Sequence, residues 1–326
     1  IITGAVLASG LGGAQAQTAI QPLSKVVNQG VADCRAQPTL SVPMITWAGD
    51  FVTVHANGGD LAQTQKDSAF DALGVSASLY VQDDFKKQVA DFLACKTPFL
   101  RGTQGMINMA AELTERDPRT KMVVIYQLTW SMGDHLIARA GIKQPVDLKG
   151  KTIAIQAYGP HIDFMGRILR DAGLSTKDVK LRFVDQLTGA NSPFDLMQKD
   201  KTVDAAFVVT PDMLTATSGG AVGTGAEGSI NGASVLVSTK TANRIISDVY
   251  AVRSDFFQAN RDQIKNFTHA LFLAEEEFRG EMRGLSGALA GGSKLAANQT
   301  AALDRMAKVF KLPSPEEAGN FWLDAE

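Results

Sequence analysis

The stretch that decides the fold is VDLKGKTIAIQAYGPHIDFMGRILRDAGL, residues 146–174. Residues 152–156 form a short apolar run with β-branched side chains, which indicates a buried parallel strand. Gly159 and Pro160 break this strand, apolar residues with helical spacing follow, and Gly173 supplies a helix stop. The stretch therefore predicts a strand, a tight turn and a helix whose N-terminus opens at the turn.

The predicted helix N-terminus at this turn is a candidate site for an anionic group. Free backbone N–H groups at such a corner bind a carboxylate, sulfonate, phosphate or nitrate group. Gln156, Tyr158 and His161 carry side chains that can hydrogen-bond a ligand there, so we predict them as ligand contacts. The alternatives are an ordinary βα turn without a ligand and, for His161, a structural role at the start of the helix.

Residues 133–181 resemble the periplasmic solute-binding proteins of ABC importers. The sequence GDHLIARAGIKQPVDLKGKTIAIQAYGPHIDFMGRILRDAGLSTKDVKL is similar to the nitrate, sulfonate and taurine branch of that family. A looser similarity runs from about Leu40 to about Phe278. The resemblance implies a type II α/β fold with two lobes, each a mostly parallel sheet flanked by helices. Two crossover strands join the lobes, which close on a small molecule.

Length and composition suit two domains of ordinary size. The chain has 326 residues, of which 45% are hydrophobic and 20% charged, with a net charge of −2. Two domains of this size can each bury a core. Acidic and basic residues are mixed along the chain, and no basic cluster indicates nucleic acid. With the resemblance, we predict lobe 1 at residues 39–135 plus 240–326 and lobe 2 at residues 136–239.

The N-terminal residues are typical of an export signal. Residues 1–17 contain an apolar run and then Ala14-Gln15-Ala16, which fits a signal-peptide cleavage site. We therefore expect a signal-peptide remnant and a periplasmic protein, and the alternative is a flexible Ala/Gly-rich tail. No other segment reaches the roughly 20 apolar residues of a membrane span.

Two cysteines, Cys34 and Cys95, are the only ones in the chain. In an exported protein they can pair, and closing so long a loop contributes about 3–4 kcal/mol when unstrained. The sequence does not give their separation in space, so the pairing stays open. No Cys/His cluster has the spacing of a zinc site.

Lobe 1 offers two strand ends as candidate contacts. Residues 40–47 predict a strand, and ligands of open α/β sheets bind beyond the carboxyl ends of strands. Trp47 and Asp50 are therefore candidate ligand contacts. The alternative for Trp47 is a core position, and Asp50 has the alternative role of capping the next helix.

The second corner of lobe 1 follows a short strand at residues 98–100. Arg101, Thr103 and Gln104 lie in a Gly-containing loop, residues 101–105, before a predicted helix at 106–115. Backbone N–H groups and a guanidinium suit an anion, so these three residues are predicted contacts. The alternative for Arg101 is a surface position beside a glycine turn.

The predicted crossover and the last strand end of lobe 2 complete the candidate site. Residues 121–138 predict one strand leaving lobe 1 and one entering lobe 2, with the turnover at 127–133. Trp130 is therefore expected near the cleft, where it stacks on a ligand or fills the hinge. Thr210 follows a buried strand, residues 203–209, and starts a third strand-to-helix corner. The second crossover is predicted within 235–252, and helices are expected at 61–73, 256–279 and 298–310.

No catalytic signature is present in the sequence. The chain lacks G-x-S-x-G, H-E-x-x-H, a P-loop and G-x-G-x-x-G, and a lone His135 is more often structural than catalytic. We expect no enzyme activity, no cofactor and no bound metal. The alternatives are an enzyme on the same fold, similar to the thiamine-pyrimidine synthases, and an extracytoplasmic sensor module.

The function predicted first is that of an extracytoplasmic solute-binding component of an ABC importer. Its expected partners are a small polar or anionic solute, resembling a sulfonate, nitrate or taurine, and the membrane permease. We expect a monomer that binds no nucleic acid. Asp50 and Asp212 would equally accept an amine, so the sequence leaves the solute open.

Overall fold

The computed structural model describes residues 19–242 and 244–325, and the predicted signal-peptide remnant at 1–17 lies outside them. The strands are β1 (Leu40–Met44), β2 (Ala77–Val81), β3 (Phe99–Thr103), β4 (Met122–Trp130), β5 (Asp134–Ala138), β6 (Thr152–Gln156), β7 (Lys180–Val184), β8 (Ala205–Val209), β9 (Ser234–Ser238) and β10 (Ser247–Arg253). The helices are α1 (Leu23–Val26), α2 (Phe51–Ala56), α3 (Ala69–Ala72), α4 (Phe85–Leu93), α5 (Gln104–Thr114), α6 (His161–Asp171), α7 (Pro193–Lys199), α8 (Thr210–Ala216), α9 (Ser254–Ala259), α10 (Arg261–Glu281), α11 (Leu285–Ala290), α12 (Ala297–Phe310) and α13 (Pro315–Ala325).

The strands of the first lobe are β1–β4 and β10. β1 pairs in parallel with β2, and β10 lies between β3 and β4, antiparallel to both. Thr97, just before β3, donates a 2.6 Å hydrogen bond to the carbonyl of Ser41 in β1 and so joins the two groups of strands. β3 and β4 therefore end at the same edge, where β10 begins.

The second lobe has one sheet with the strand order β7-β6-β8-β5-β9. β6 pairs in parallel with β7 and β8, whereas β5 is antiparallel to β8 and β9. The carboxyl ends of β6, β7, β8 and β9 consequently lie at one edge, beside the amino end of β5. In the second lobe only β5 is antiparallel, whereas the first lobe has the parallel pair β1 and β2 and a separate group in which β10 is antiparallel to β3 and β4. The chain crosses between the lobes after β4 and after β9. The predicted α/β class is confirmed, while the exact lobe boundaries stay a prediction.

Apolar residues cover both faces of the second sheet. Leu136 and Ile137 are neighbours in β5, so their side chains point to opposite faces. Leu136 belongs to the core that contains Phe164 of α6, and Ile137 to the core that contains Met197 of α7. Burial on both faces explains why the strands are almost entirely apolar in sequence.

The predicted helix at residues 61–73 is wrong, because only α3 is helical there. Asp60 accepts a 2.7 Å hydrogen bond from the backbone N–H of Ala62, and Ser68 caps α3 by accepting from the N–H of Asp71. Such local bonds between side chains and the backbone hold the segment before Ser68 in turns.

Three other boundaries also differ from the prediction. Residues 101–105 are not a loop: β3 runs through Thr103 and α5 begins at once, since the Thr103 hydroxyl accepts from the N–H of Met106. β4 continues to Trp130, which shortens the first crossover to residues 131–133. Asn260, with φ −133°, splits the helix predicted at 256–279 into α9 and α10.

A disulfide answers the question that the two cysteines left open. Cys34 is bonded to Cys95, with a distance of 5.3 Å between their Cα atoms. The bond fastens the segment before β1 to the turn after α4. Among the residues that the structure describes, no helix has both the length and the hydrophobicity needed to cross a membrane.

Candidate functional site

The N-termini of α5 and α6, one from each lobe, are in contact. A Cβ atom placed on Gly105 of α5 would lie only 2.7 Å from the Cβ of Asp163 in α6. At the first crossover, a Cβ on Gly133 would lie 3.1 Å from the Trp47 ring and 3.1 Å from the Cβ of Asp324. The strand ends of the two lobes therefore face each other across a closed cleft.

A buried ion-pair triad occupies the lobe 1 side of this cleft. Arg101 of β3 donates to Asp50 from Nε at 2.9 Å and from Nη2 at 2.5 Å, and its Nη1 donates to Asp248 of β10 at 3.0 Å. Asp50 and Arg101 are completely buried and Asp248 is 3% exposed. The triad gives the role of the Asp50 side chain, which binds Arg101 and neither caps a helix nor reaches solvent. The surface alternative for Arg101 is wrong.

Trp47 extends the triad into a longer hydrogen-bonded network. Its Nε1 donates to the hydroxyl of Thr129 at 3.0 Å, and that hydroxyl donates to Asp248 at 3.0 Å. The Trp47 ring also packs edge-on against Phe321, with 5.4 Å between ring centroids. Trp47 is thus a core residue whose one polar atom is already hydrogen-bonded.

Burial affects the ionisation of all three residues of the triad. Burial raises the pKa of Asp50 to about 6 although Arg101 opposes the shift, and burial also raises the pKa of Asp248. Burial disfavours the charge on Arg101, but the two carboxylates outweigh this effect and raise its pKa. Burial therefore opposes the charged state of all three residues, and the ion pairs between them favour it.

A second network lies on the lobe 2 side and centres on Asp134, the first residue of β5. Its carboxylate accepts from His161 Nε2 at 2.6 Å and from the hydroxyl of Ser131. The neighbouring His135 hydrogen-bonds Thr210 through Nε2 at 3.0 Å, and burial lowers the pKa of His135 to about 4, so it is neutral at pH 7. Nδ1 of His135 and Nδ1 of His161 are buried and lack a partner among the described residues.

Tyr158 lies apart from both networks. Its backbone is left-handed, with φ 57°, and its hydroxyl donates a 2.6 Å hydrogen bond to the carbonyl of Gln21. The ring packs in an apolar cluster with Phe85 and Met106 of lobe 1, and the ammonium of Lys86 lies 5.4 Å from its centroid. Tyr158 therefore links lobe 2 to lobe 1 and to the N-terminal segment.

The remaining predicted contacts are scattered around the cleft. Gln156 donates to the carbonyl of Asp185 at 3.2 Å, and Gln104 donates to the side chain of Asn108 at 3.0 Å. Trp130, at the end of β4, is 38% exposed. The structure thus joins Trp47, Asp50 and Arg101 in one network and places His161 and Thr210 around β5, while Thr103 caps α5.

Sequence reasoning missed two carboxylates, one in each of these networks. Asp134 opens β5 and Asp248 lies at the start of β10, the antiparallel strand of each lobe. The available signals were an acidic residue just after the predicted turnover at 127–133 and another inside the second predicted crossover, residues 235–252. The sequence does not give the direction of a strand within its sheet. Only an antiparallel strand brings its amino end to the edge of the candidate site, so the role of these acidic residues was not recognised. Among the described residues, no group of three or more His, Cys, Asp or Glu could hold a metal ion.

Asp212 of α8 gives a prediction about pH. Burial raises its pKa to about 6, and its Oδ2 has no partner among the described residues. Since the folded pKa exceeds the unfolded one, the folded protein binds more protons between about pH 4 and 6 and loses stability as the pH rises through this window. We expect Asp212→Asn to stabilise the protein by about 1–3 kcal/mol at pH 7, measured by denaturant unfolding.

At about pH 4 this gain should disappear, because Asp212 is then neutral in the folded protein. Asp195→Asn is the matched control, since Asp195 lies in the first turn of α7 but has Lys199 at 2.7 Å. It should give no gain. An equal gain from Asp212→Asn at both pH values would contradict the role of the buried charge.

Comparison with protein families gives one match. The sequence model described as NMT1/THI5 like matches residues 96–276, more than half of the chain. Comparison with curated protein sequences gave no match.

Solved structures with the periplasmic-binding-protein fold are similar to this chain. The periplasmic aliphatic sulphonate binding protein SsuA from Escherichia coli has a TM-score of 0.61 and 16% identity, over 89% of this chain and 84% of that one. The alkanesulfonate-binding protein SsuA from Xanthomonas axonopodis pv. citri, bound to MOPS, has a TM-score of 0.57 and 13% identity, over 89% and 85%. A Candida albicans protein described as having the generic periplasmic binding protein fold has a TM-score of 0.55 and 15% identity, over 89% and 81%. At these identities the likeness shows the fold alone.

Proposed function

Because the chain belongs to the NMT1/THI5-like family, we propose that it is the extracytoplasmic solute-binding component of an ABC importer. It captures a small polar solute between its lobes, and a membrane permease receives the solute. The likeness of the fold to sulfonate-binding periplasmic proteins supports this role. The disulfide supports an oxidising compartment such as the periplasm.

The observation that carries the proposal is the contact of the α5 and α6 N-termini at Gly105 and Asp163. Rotation at residues 131–133 and at the connection from β9 to β10 would separate these helices and expose the polar networks on both sides. Hinge closure of this kind is a common way for a two-lobe protein to enclose a ligand. We propose that the solute contacts those side chains of the two networks that face the cleft. Trp130, at the exposed rim of the cleft, is a further proposed contact.

Binding is favoured over catalysis by the state of the cysteines. The resembled synthases rely on His and Cys chemistry. Here Cys34 and Cys95 are the only cysteines of the chain and are bonded to each other, so neither offers a thiol. The similar solved structures described above include two sulfonate-binding proteins, which also favours a binding role.

Closure is tested by Gly105→Val. The atom nearest to the added side chain is the Cβ of Asp163, which cannot swing away as the tip of a side chain would. We expect the variant to fold but to close incompletely, because overpacking costs about 1–3 kcal/mol and opening relieves it. Solute affinity should fall roughly ten- to a hundredfold. The measurement is mass spectrometry of the small molecule that co-purifies with the native protein, with small-angle scattering for compaction.

Gly166→Val is the matched control, since Gly166 lies in helix α6 and a Cβ there meets nothing within 4 Å. It should retain the solute and the radius of gyration of the wild-type protein. If Gly105→Val binds the same solute with unchanged affinity, the proposed closure is wrong.

A further inference from the structure

We propose that the segment at residues 20–27 is a latch that holds the two lobes closed and so raises the affinity for the solute. The inference rests on the solute-binding function proposed above. The segment is attached to lobe 1 and contacts lobe 2 at the corner between β6 and α6, residues 157 and 158. It thus favours the closed conformation through contacts between the lobes, without a contact to the solute.

The segment is attached to lobe 1 by apolar, polar and covalent contacts. Leu23 and Val27 are buried in an apolar cluster, the lobe 1 cluster, which is formed mainly by side chains of α4 and α5. The hydroxyl of Ser24 donates a hydrogen bond to Glu112 of α5. Farther along the chain, the disulfide described above fastens the same stretch to the turn after α4. The segment therefore stays with lobe 1 when the lobes move apart.

The corner of lobe 2 enters the lobe 1 cluster beside this segment. Tyr158 is 7% exposed and packs in the cluster, and its hydroxyl donates to the carbonyl of Gln21 at 2.6 Å. Ala157 and Ile20 are each partly buried against both the lobe 1 cluster and the core of lobe 2. Separation of the lobes would pull Ala157 and Tyr158 out of the cluster and expose apolar surface to water, which is unfavourable.

The backbone of Tyr158 is shaped for this contact. Its φ of 57° lies in the left-handed region, which residues other than glycine rarely adopt. Such a conformation persists where the surrounding structure maintains it. The groups that contact the Tyr158 side chain, the Gln21 carbonyl and the Lys86 ammonium, belong to the segment and to α4 of lobe 1. The corner of lobe 2 is therefore fitted to lobe 1 and its latch.

A contact that exists only in the closed conformation changes affinity without touching the solute. When the closed form is the one that binds, the apparent affinity is proportional to the closed fraction of the solute-free protein. One hydrogen bond of the Tyr158–Gln21 kind changes the ratio of closed to open protein about two- to tenfold. The packing of Ile20 between the lobes adds to this effect.

The test measures the separation of the lobes in solute-free protein. Spin labels are attached through Lys87→Cys on α4 and Arg167→Cys on α6, two exposed positions on different lobes. The native cysteines are bonded to each other and do not take the label. We expect Tyr158→Phe and Ile20→Ala, combined in one protein, to shift the distances measured by pulsed electron paramagnetic resonance toward larger values. A direct contact of Tyr158 with the solute would not move this readout.

Tyr126→Phe combined with Val31→Ala is the matched control. The Tyr126 hydroxyl donates to Glu275 within lobe 1, and Val31 packs against the lobe 1 cluster but not against the core of lobe 2. The control therefore loses one tyrosine hydroxyl and some apolar packing without a change between the lobes, and it should keep the distances of the wild-type protein. Unchanged distances in the latch variant, or an equal shift in the control, overturn the inference.

A second measurement connects the latch to binding. The small molecule that co-purifies with the native protein is quantified by mass spectrometry after dialysis, and its affinity should fall about two- to tenfold or more in the latch variant and stay unchanged in the control. A fall in affinity without a shift in distances, or a shift without a fall, also overturns the inference. If the wild-type protein retains no small molecule, the proposed function fails, while the distances still decide whether the segment holds the lobes closed.

Discussion

Replacing Arg101 by methionine is expected to destabilise the folded protein by about 3–5 kcal/mol. Methionine fills a similar volume but leaves Asp50 and Asp248 buried without their cation. Both carboxylates are almost completely inaccessible to water, so solvent cannot replace the lost ion pairs. The measurement is equilibrium unfolding in urea at pH 7, with small-angle scattering to confirm that the variant is folded.

Two controls separate the triad from other effects of losing an arginine. Arg167→Met, at a side chain that is 55% exposed on α6, should change stability by less than about 0.5 kcal/mol. Asp50→Asn combined with Arg101→Met should recover part of the loss, because one buried charge is removed. The loss of unfolding free energy caused by Arg101→Met should also become smaller toward about pH 4, because the remaining carboxylates take up protons there. A loss below about 1 kcal/mol would contradict the buried triad.

Removing the disulfide is expected to cost about 2–4 kcal/mol. Cys34 and Cys95 are separated by 61 residues, and a crosslink that closes so long a loop restricts the unfolded chain strongly. The bond also anchors the segment that leads to α1, which packs on α5 beside the cleft. We therefore expect Cys34→Ala combined with Cys95→Ala to lower the unfolding midpoint.

Reduction provides the matching control for this variant. A thiol reductant should lower the stability of the wild-type protein by the same amount and leave the double variant unchanged. Without reductant, the unfolded wild-type protein should give no reaction with a maleimide, since the chain has no third cysteine. Two labelled thiols under these conditions would show that the cysteines are not bonded.

The predicted anion site at Arg101 shows what local sequence patterns can and cannot predict. Arg101 follows a predicted strand and precedes a helix, which in isolation is a good setting for an anion. Its actual partners lie 51 and 147 positions away in the chain. No local pattern reports such distant neighbours, so the neutralisation of Arg101 by Asp50 and Asp248 could not be predicted.

For Tyr158 as well, the sequence predicted the position of the residue but not its partners. Its position at a strand-to-helix corner was correct, because a polar-to-apolar pattern and a Gly-Pro break are local signals. Its partners, the Gln21 carbonyl and the Lys86 ammonium, come from segments distant in sequence. The side chain therefore holds parts of the protein together instead of standing free for a ligand.

The sequence by itself determined the α/β class, strands β6 and β8, and helices α6 and α12, while the ligand site at the strand ends stays a prediction. These follow from apolar periodicity and from Gly and Pro breaks, which act over a few neighbouring residues. Only the tertiary structure decided which side chains meet in the cleft. It brought Asp134 and Asp248 to the ligand edge because β5 and β10 run antiparallel, and strand direction is set by packing among distant segments.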